Sequence, residues 1–481
     1  MAEKMLQFTK VERSMPAKRA AETRATDFDE IYSEFSLKAA GAQAARCSQC
    51  GVPFCQQGCP LSNNIPDWLK LSAEGRLEEA WEVSSATNNM PEICGRICPQ
   101  DRLCEGICTI EQSGHGTVTI GSVEKFITDT AWEKGWVKPI VPPRERAQSA
   151  GIIGAGPGGL AAAEQLRRKG YQVTVYDAYD RGGGLLVYGI PGFKLEKPVV
   201  ARRIRHLEDS GITFKFNTRI GQDVTLQELR KTHDTLLIAT GVYQAKDLKC
   251  PGVGANGVFA ALDYLTASNR KSFGDAVADY DDGTLNADGK RVVVIGGGDT
   301  AMDCVRTAIR QGAKSVTCLY RRDRANMPGS QREVANAEEE GVVFEWLASP
   351  EAILDTKAGK VKAVRAAKMK LGEPDASGRQ SPVKTGETMD VKADMVIKAL
   401  GFDPEDLPVL FGEPALTVNR WGAVRVDYAT METSLSGVYA AGDIVRGASL
   451  VVWAIKDGRD AAEAMHKAMK AAEKAAKVAA E

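Results

Sequence analysis

The sequence has almost no excess of charge of either sign. Its 481 residues include 62 Lys and Arg against 63 Asp and Glu, a formal net charge of −1. Proteins that bind nucleic acid usually carry a basic excess or a basic stripe, so this composition argues against that class. The sequence therefore predicts no nucleic-acid partner.

Long apolar runs and histidines are scarce as well. No uninterrupted apolar run approaches the roughly 18 residues of a membrane span, and the start, MAEKMLQFTKVERSMP, lacks the apolar stretch of a secretory signal. We therefore expect a cytoplasmic protein with no membrane partner, in which thiols stay reduced. The histidines are scattered, and we expect them to be ordinary core or surface residues: His115, His206, His233 and His466.

What the sequence does contain is clustered glycine and an uneven distribution of cysteine. Glycine totals 47, above the roughly 7% of average usage. Eight of the eleven cysteines lie between Cys47 and Cys108. The length suggests about three domains at roughly 150 residues each. Because the compartment is reducing, a metal site explains the cysteine cluster better than a disulfide framework does.

The eight cysteines form two runs, and each run contains the C-x3-C-P element that ends the bacterial ferredoxin pattern. Four soft thiolates per centre suit an iron–sulfur cluster or zinc, so eight ligands make two sites. In two-cluster ferredoxins the last cysteine of a run ligates the other cluster. On that logic we predict two ligand sets, Cys47, Cys50, Cys55 and Cys108, and Cys59, Cys94, Cys98 and Cys104.

Two structural zinc sites are the alternative for this segment. Zinc ribbons usually pair two C-x-x-C knuckles, and the segment contains one C-x-x-C. The remaining cysteines are expected to be small buried hydrophobic residues without a role in metal binding: Cys250, Cys304 and Cys318.

The first 145 residues are expected to form a helical domain around these cysteines. Apolar residues at i, i+3, i+4 and i+7 predict a helix with Asp27 as its N-cap: Phe28, Ile31, Tyr32 and Phe35. Helices are also predicted after Pro66 and over RLEEAWEVSSA. Three prolines in KPIVPPRERA (138–147) predict an extended linker.

The pattern changes at Ala150, where short β-branched runs alternate with helical segments and predict parallel sheets. Two glycine clusters begin at Gly154 and Gly296, 142 residues apart. That distance is far longer than one βαβ unit, so the clusters belong to two nucleotide-binding modules. The last 25 residues, rich in Ala and Lys, predict a solvated terminal helix.

The first cluster, Gly154-x-Gly156-x-x-Gly159, follows a strand and opens a helix. In such a fingerprint the first glycine permits the turn, the second lets the backbone approach a pyrophosphate, and the third allows close helix–strand packing. The helix N-terminus then faces the phosphates. Asp177 ends the next strand, where an acid can accept hydrogen bonds from ribose hydroxyls.

The second cluster has alanine in the third role, and its candidate binding residues are Gly296, Gly298, Asp299, Thr300 and Ala301. The strand after it ends in Arg321 and Arg322 rather than in an acid. Guanidinium groups can bind a 2′-phosphate through charge-assisted bonds, which predicts NADPH rather than NADH. The alternative is a solvated basic turn with no ligand.

Over residues 149–470 the chain resembles two-dinucleotide-domain flavoprotein reductases, through LLIATG (236–241), VIKALGF (396–402) and GVYAAGDIV (437–445). The resemblance implies that the first fingerprint holds FAD and the second holds NADPH. Further residues beside the flavin are then Gly183, Gly184, Thr240, Gly241, Gly442 and Asp443. The resemblance also implies an FAD domain in two pieces, 146–285 and 405–481, around an NADPH domain at 286–404.

Many such reductases pass electrons to a redox-active disulfide, but neither C-x4-C nor C-x-x-C occurs after residue 150. The cysteine domain is then the evident electron exit. A cysteine-rich helical domain followed by an FAD/NADPH module is similar to the small (β) subunit of bacterial NADPH-dependent glutamate synthase. That resemblance covers nearly the whole chain, and the motifs occur in the family's order.

The resemblance implies hydride transfer from NADPH to FAD, and electron transfer through two 4Fe–4S clusters to a large (α) subunit. That subunit makes L-glutamate from 2-oxoglutarate and L-glutamine, so we expect a hetero-oligomer. Because the cofactors perform the chemistry, no catalytic acid or base is expected. The expected fold class is α/β, with two Rossmann-like domains preceded by an α-helical iron–sulfur domain.

Two other functions remain open from the sequence. The NADPH-oxidising part of dihydropyrimidine dehydrogenase and the subunits of NADPH–ferredoxin oxidoreductases share this architecture, and architecture alone does not separate them. The second is a zinc-stabilised docking domain fused to an inactive nucleotide-binding scaffold.

Overall fold

The computed structural model describes residues 4–375, 378 and 380–480. The part before the linker is helical. Its helices are α1 (Ala21–Arg24), α2 (Leu37–Ala44), α3 (Phe54–Gln57), α4 (Ile65–Ala73), α5 (Leu77–Thr87), α6 (Pro91–Ile97), α7 (Thr109–Gln112) and α8 (Ile120–Glu133). α4 and α5 are the two helices predicted after Pro66, and Pro66 lies in the first turn of α4.

The helix predicted over residues 27–35 is wrong. The segment is extended, and the backbone N–H of Arg19 donates to the carbonyl of Ile31 at 2.9 Å. Asp27 does not cap a helix, because its carboxylate pairs with the Arg19 guanidinium. Phe28 packs against a loop of the next domain. Phe35 packs on the core of the helical domain, so the apolar residues of this segment have different partners and do not form one helical face.

Strands and helices alternate in the rest of the described chain. The strands are β1 (Ser149–Ile153), β2 (Gln172–Tyr176), β3 (Thr213–Lys215), β4 (Thr235–Ile238), β5 (Gln244–Ala245), β6 (Val258–Ala260), β7 (Arg291–Ile295), β8 (Ser315–Tyr320), β9 (Val343–Trp346), β10 (Ala348–Asp355), β11 (Val361–Pro374), β12 (Gln380–Lys392), β13 (Met395–Lys398), β14 (Phe402–Asp403) and β15 (Val438–Ala440). The helices are α9 (Pro157–Arg168), α10 (Leu185–Tyr188), α11 (Lys197–Asp209), α12 (Leu226–Thr232), α13 (Ala261–Ser272), α14 (Ala278–Asp281), α15 (Asp299–Arg310), α16 (Gln331–Glu339), α17 (Leu407–Leu410), α18 (Asp443–Arg446) and α19 (Val451–Ala480).

Two parallel sheets organise this part of the described chain. The first has the order β15-β4-β1-β2-β3, and the second has the order β6-β13-β7-β8-β9. Smaller antiparallel sheets join β10, β11 and β12, and β5 with β14. In open α/β sheets, ligands bind outside the carboxyl ends of the strands, at the point where the strand order reverses. The predicted α/β fold with two Rossmann-like units is confirmed.

The first sheet draws on both ends of the α/β part, because β15 returns to pair with β4. The second sheet begins earlier than the predicted boundary at residue 286. β6 pairs with β13, and residues of α13 such as Tyr264 lie in the core beneath the second sheet. The sequence boundaries place β6 and α13 in the flavin domain, whereas in the structure both elements pack with the second sheet.

The sequence predicts a solvated terminal helix, but in the structure the first half of α19 packs into a core. Ala461, Ala462 and Met465 are fully buried in the core of the first sheet. α19 packs on α9 at a point where Gly458 faces Gly158. A Cβ added to Gly458 would lie 2.1 Å from the Gly158 carbonyl oxygen. None of the described helices combines the length and the apolar character that a bilayer crossing requires.

Candidate functional site

The first-sheet crevice is the space outside the carboxyl ends of β1, β2, β4 and β15. The loops that follow these strands contain the predicted residues Gly154, Asp177, Thr240 and Gly442 in that order. Two adjoining cavities of about 210 and 110 Å³ occupy the crevice, and both are lined by Gly154, Asp177 and Thr240. Parallel strands thus bring together residues that are far apart in the sequence.

The turn after β1 has the geometry that the fingerprint predicts. Gly154 has a positive φ of 111°, and a Cβ there would meet the Ala239 carbonyl oxygen at 2.3 Å. A Cβ on Gly159 would lie 1.9 Å from the Gly154 carbonyl oxygen, so α9 packs directly on the turn. At Gly156, the N-cap of α9, a Cβ would meet no heavy atom of the described chain within 4 Å. The N-terminus of α9 therefore opens onto the crevice, where it can hold a pyrophosphate.

Asp177 is buried at the mouth of this turn. Its Oδ2 accepts a hydrogen bond from the backbone N–H of Ala155 at 2.6 Å, and its Oδ1 accepts one from Tyr179 at 2.8 Å. Burial raises the pKa of this carboxyl, and the two backbone donors act in the opposite direction. Asp177 thus stabilises the glycine turn, and it retains acceptor capacity for a ribose hydroxyl.

Of the remaining predicted residues, Gly183 and Gly184 pack against the glycine turn, and the others line the crevice. The Gly183 N–H donates to the Ala155 carbonyl at 2.8 Å, and a Cβ on Gly184 would lie 3.1 Å from Gly156 Cα. Gly241, Gly442 and Asp443 line the smaller cavity with Thr240. Burial raises the pKa of Asp443 to about 7.

Thr240 supplies a direct sign that a ligand belongs in the crevice. Its buried Oγ1 has no hydrogen-bond partner among the described residues. Buried polar atoms are rarely left without a partner, so this hydroxyl is placed to bond with a bound molecule. The glycine turn, the open N-terminus of α9 and this hydroxyl fit a dinucleotide such as FAD.

The second fingerprint repeats this geometry outside β7. Gly296 has a φ of 147°, and a Cβ there would lie 2.2 Å from the Ala399 carbonyl oxygen. At Gly298, the N-cap of α15, a Cβ would meet no described heavy atom within 4 Å. Ala301 is fully buried under the turn. These residues fit a second dinucleotide.

Asp299 and Thr300 open α15 in different settings. The Asp299 Oδ1 accepts a hydrogen bond from the Ser330 N–H at 3.0 Å, so this carboxylate holds the neighbouring loop. Thr300 is half-buried at the helix start.

Arg321 and Arg322 follow β8 at the same edge of the second sheet. Arg321 is exposed, and Arg322 is half-buried with a buried Nε that lacks a partner. In the part of the chain that the structure describes, neither guanidinium pairs with a carboxylate, whereas Arg324 in the same turn pairs with Glu338 at 2.7 Å. Two uncompensated cations are therefore available to an anion here.

The eight clustered cysteines lie in the helical domain, and all eleven cysteines of the described chain are free thiols. One enclosed space, which we call the cysteine cavity, is lined by Cys59, Cys94, Cys98 and Cys104. The other four thiols interact electrostatically: the charges of Cys47, Cys108 and Cys50 all raise the pKa of Cys55, after the larger effect of burial. Cys104, which lines the cysteine cavity, is also affected by the charge of Cys55, so the two groups of thiols are neighbours.

The surroundings of the thiols suit a metal cluster. Burial raises the pKa of Cys55 to about 12 and that of Cys59 to about 11, so the ligand-free thiols stay protonated. Metal binding supplies the positive charge that releases these protons. The Cys47 Sγ already accepts hydrogen bonds from the backbone and side-chain N–H groups of Gln49, both at 3.4 Å.

The first-sheet crevice and the cysteine cavity meet at the first turn of α19. Val451 lines the smaller cavity of the crevice, and the next residue, Val452, lines the cysteine cavity. A ligand in the first-sheet crevice would thus be separated from a ligand in the cysteine cavity by one apolar helical turn. Val451 and Val452 are both apolar, so neither brings a polar or charged group to this wall.

Sequence reasoning missed several residues that the structure brings to these sites. Tyr243 lines both cavities of the first-sheet crevice, and Glu124 lines the cysteine cavity. Burial raises the pKa of Glu124 to about 8. Tyr243 lies only two residues after Gly241, so its position in the sequence was a usable signal. Glu124 occurs in an ordinary amphipathic helix and gives no such signal. The scattered Cys304 and Cys318 are buried as predicted, and Cys250 is half-buried.

Two protein families match the chain. The family described as dihydropyrimidine dehydrogenase domain II, 4Fe-4S cluster, matches residues 24–136. The family described as pyridine nucleotide-disulphide oxidoreductase matches residues 149–470. The solved structure of Mycobacterium tuberculosis FprA in complex with NADPH is 21% identical, with a TM-score of 0.58, and the match covers 69% of this chain and 86% of that one. At that identity the likeness shows the fold.

Curated relatives match over almost the full length. The glutamate synthase (NADPH) small chain of Azospirillum brasilense is 66% identical over 470 residues, 98% of this chain and 97% of the relative. The corresponding small chain of Escherichia coli K12 is 45% identical over 467 residues, 96% of this chain and 98% of the relative. The E. coli putative oxidoreductase AegA is also 45% identical, over 94% of this chain and 69% of its own length. The chain therefore belongs to the family of glutamate synthase small chains.

Proposed function

We propose that this chain is the electron-input subunit of an NADPH-dependent glutamate synthase. It oxidises NADPH at FAD and passes electrons through two 4Fe–4S clusters to a large subunit that forms L-glutamate from 2-oxoglutarate and L-glutamine. The observation that carries this proposal is that the first turn of α19 separates the first-sheet crevice from the cysteine cavity. Val451 lines the crevice, and Val452 lines the cysteine cavity.

The chain's own residues bind and orient the cofactors. When bound, FAD accepts a hydride from NADPH and releases the electrons singly, which iron–sulfur clusters require. The N-terminus of α9, with Gly156 open to the crevice, supports pyrophosphate binding, and the unpaired Thr240 hydroxyl supports a hydrogen bond to FAD. The N-terminus of α15 at Gly298 supports the same role for NADPH.

The cysteines are assigned to two ligand sets in this proposal. The first set is Cys47, Cys50, Cys55 and Cys108, and the second set is Cys59, Cys94, Cys98 and Cys104. The shared cysteine cavity supports the second set, and mutual electrostatic effects support the first. Because Val452 lines the cysteine cavity, the second set would hold its cluster nearest the crevice, where it would supply the first one-electron acceptor.

Arg321 and Arg322 are assigned to the 2′-phosphate of NADPH. Their guanidinium groups lack carboxylate partners in the described chain, and they follow the strand next to the second fingerprint. A 2′-phosphate brings the compensating charge, and charge-assisted bonds of this kind are among the stronger polar contacts.

A second candidate function is an NADPH-oxidising subunit for another large chain. The match of residues 24–136 to a dihydropyrimidine dehydrogenase domain, and the 45% identity to AegA, favour keeping it. The two candidates differ in the partner and share the input chemistry.

The test is to isolate the chain with its co-purifying partner and add NADPH without oxygen. We expect NADPH to bleach the flavin absorption band, and L-glutamate to form only when the large chain is present. A flavin band that NADPH leaves unchanged would contradict the proposal, and so would glutamate formation by the small chain alone. A partner that reduces pyrimidines or ferredoxin would select the second candidate.

A further inference from the structure

Three parts of the chain meet in a largely buried cluster that we call the Phe193 junction. It comprises Arg24 from the N-terminal part, Phe193 and Lys194 from the loop between α10 and α11, Asp303, Arg306 and Arg310 from α15, and Glu339 and Glu340 at the end of α16. The part of the chain that forms the first sheet, the part that forms the second sheet, and the N-terminal segment therefore contact one another at one place. None of these residues belongs to the predicted cofactor sites.

The ring of Phe193 forms the centre of the junction. Phe193 is 1% exposed, and the guanidinium carbons of Arg310 and Arg306 lie 4.0 and 4.4 Å from the ring centre. Cation–π contacts are stronger when both groups are removed from water, as they are here. Lys194, the next residue, pairs with Asp303 of α15 at 2.9 Å. Phe193 and Lys194, which follow one another in a loop of the first-sheet part, thus contact two turns of α15.

Arg24 connects the N-terminal segment to the same helix pair. It is fully buried, with Nε 2.9 Å from Glu340 Oε1 and Nη2 2.6 Å from Glu339 Oε2. Glu340 also accepts hydrogen bonds from Arg306 and Arg310, each at 2.7 Å. Buried charges of this kind are stable only as a complete set, because the removal of one partner leaves another uncompensated.

α15 is the helix whose N-terminus follows the second fingerprint, so whatever fixes its far end also fixes a nucleotide bound at its start. A helix of 12 residues transmits a change of direction at one end to the other, about 18 Å away at 1.5 Å per residue. The reacting atoms of a bound pair must approach to roughly 3–3.5 Å, and a misplacement of 1 Å can cost about 100-fold in rate.

We infer that the Phe193 junction holds α15 in one orientation relative to the first-sheet crevice, with Phe193 and Arg24 as positioning residues for hydride transfer. This inference rests on the proposed function. In the step concerned, NADPH loses a hydride to become NADP⁺, and bound FAD takes up that hydride. Phe193 and Arg24 line neither cavity of the first-sheet crevice and lie outside the candidate residues at the N-terminus of α15, so their effect is on geometry and not on affinity.

The test compares Phe193→Leu and Arg24→Lys in the full chain loaded with its cofactors. We expect flavin reduction at saturating NADPH to slow by at least tenfold in each variant, while the Kd for NADPH changes by less than threefold. Reduction by dithionite stays at the wild-type rate. The control is Arg76→Lys, which alters an exposed ion pair with Glu79 in the helical domain, away from the junction, and should leave both quantities unchanged.

A weakened Kd with an unchanged maximal rate would overturn the inference, as would unchanged kinetics in both variants. Hydrogen exchange gives a second readout that does not depend on activity. Amides of α15 should exchange at least tenfold faster in Phe193→Leu and in Arg24→Lys than in the wild type, at equal flavin and iron content. Unchanged exchange in both variants would contradict the junction itself, whereas a wild type that NADPH does not reduce would contradict the proposed function alone.

Discussion

At the scale of single residues, the two fingerprints differ most in the side chains that follow the second strand of each. Asp177 after β2 is buried and bonded to two backbone N–H groups, whereas Arg321 and Arg322 after β8 have no carboxylate partner within the described ranges. A carboxylate repels a 2′-phosphate, and a guanidinium attracts one. Under the proposed assignment, these side chains favour a nucleotide without a 2′-phosphate at the first site and NADPH at the second.

Replacement of both Arg321 and Arg322 by Ala should lower the preference for NADPH over NADH at least tenfold. Each charge-assisted bond to the phosphate is worth about 1.5–3 kcal/mol, and NADH makes no such bond. The measurement is the ratio of kcat/KM for the two nucleotides. Arg324→Ala is the matched control, because Arg324 lies in the same turn but pairs with Glu338. A ratio that survives the double change would refute the assignment.

At the scale of elements, the first-sheet crevice depends on the crossing of α9 and α19. The N-terminal turns of both helices line the smaller cavity, through Gly158 and through Val451 and Ala454. The helices approach so closely at Gly458 that a Cβ would meet the Gly158 carbonyl oxygen at 2.1 Å. The crossing point thus determines the shape of the crevice.

Gly458→Ala tests this crossing. Helix propensity alone favours Ala over Gly by about 1 kcal/mol, but the contact is with backbone, which cannot move aside at small cost. We expect a net loss of roughly 1–3 kcal/mol in the free energy of unfolding, and weaker retention of FAD. Thermal unfolding and flavin content measure the two effects.

Gly41→Ala in α2 is the control for this change. A Cβ at Gly41 would lie 3.8 Å from the Ser72 carbonyl oxygen, which is an ordinary contact. Helix propensity should then decide, and the variant should be unchanged or slightly more stable. If Gly458→Ala behaves in the same way, the close crossing does not constrain the crevice.

At the scale of the whole molecule, the helical domain is fastened to the α/β part by buried ion pairs. Arg203 of α11 bonds to both carboxylate oxygens of Glu92 in α6, at 2.7 and 2.9 Å. α6 also carries Cys94, so the helix that contacts α11 also presents a thiol to the cysteine cavity. This arrangement keeps the cysteine cavity beside the first-sheet crevice.

The intact protein should contain about eight iron atoms per chain, in two 4Fe–4S clusters. Cys50→Ser and Cys104→Ser remove one ligand from each proposed set, so each should lower the iron content by about half while FAD is retained. Cys250→Ser is the control and should keep all the iron. Zinc in place of iron, or a parallel loss of FAD with iron, would contradict this expectation.

Local chemistry explains how much of the fold was predictable. The glycine fingerprints, the β-branched strands and the helices after Pro66 follow from turn geometry and from periodicity over a few residues. The fold class and the location of Gly154, Asp177 and Gly296 at the carboxyl ends of strands agree with those predictions. The segment around Phe28 did not follow its periodicity, because Phe28 packs on another domain while Phe35 packs on the core of the helical domain.

The sequence by itself determined the chemistry of this protein, since the number of thiolates, the two glycine turns and the basic side chains after β8 are properties of short segments. Only the tertiary structure decided which cysteines share a cavity, that Val451 and Val452 separate that cavity from the crevice, and that Phe193 contacts α15. The physical reason is distance along the chain. These contacts join residues tens to hundreds of positions apart, and packing between domains, which no local pattern encodes, brings them together.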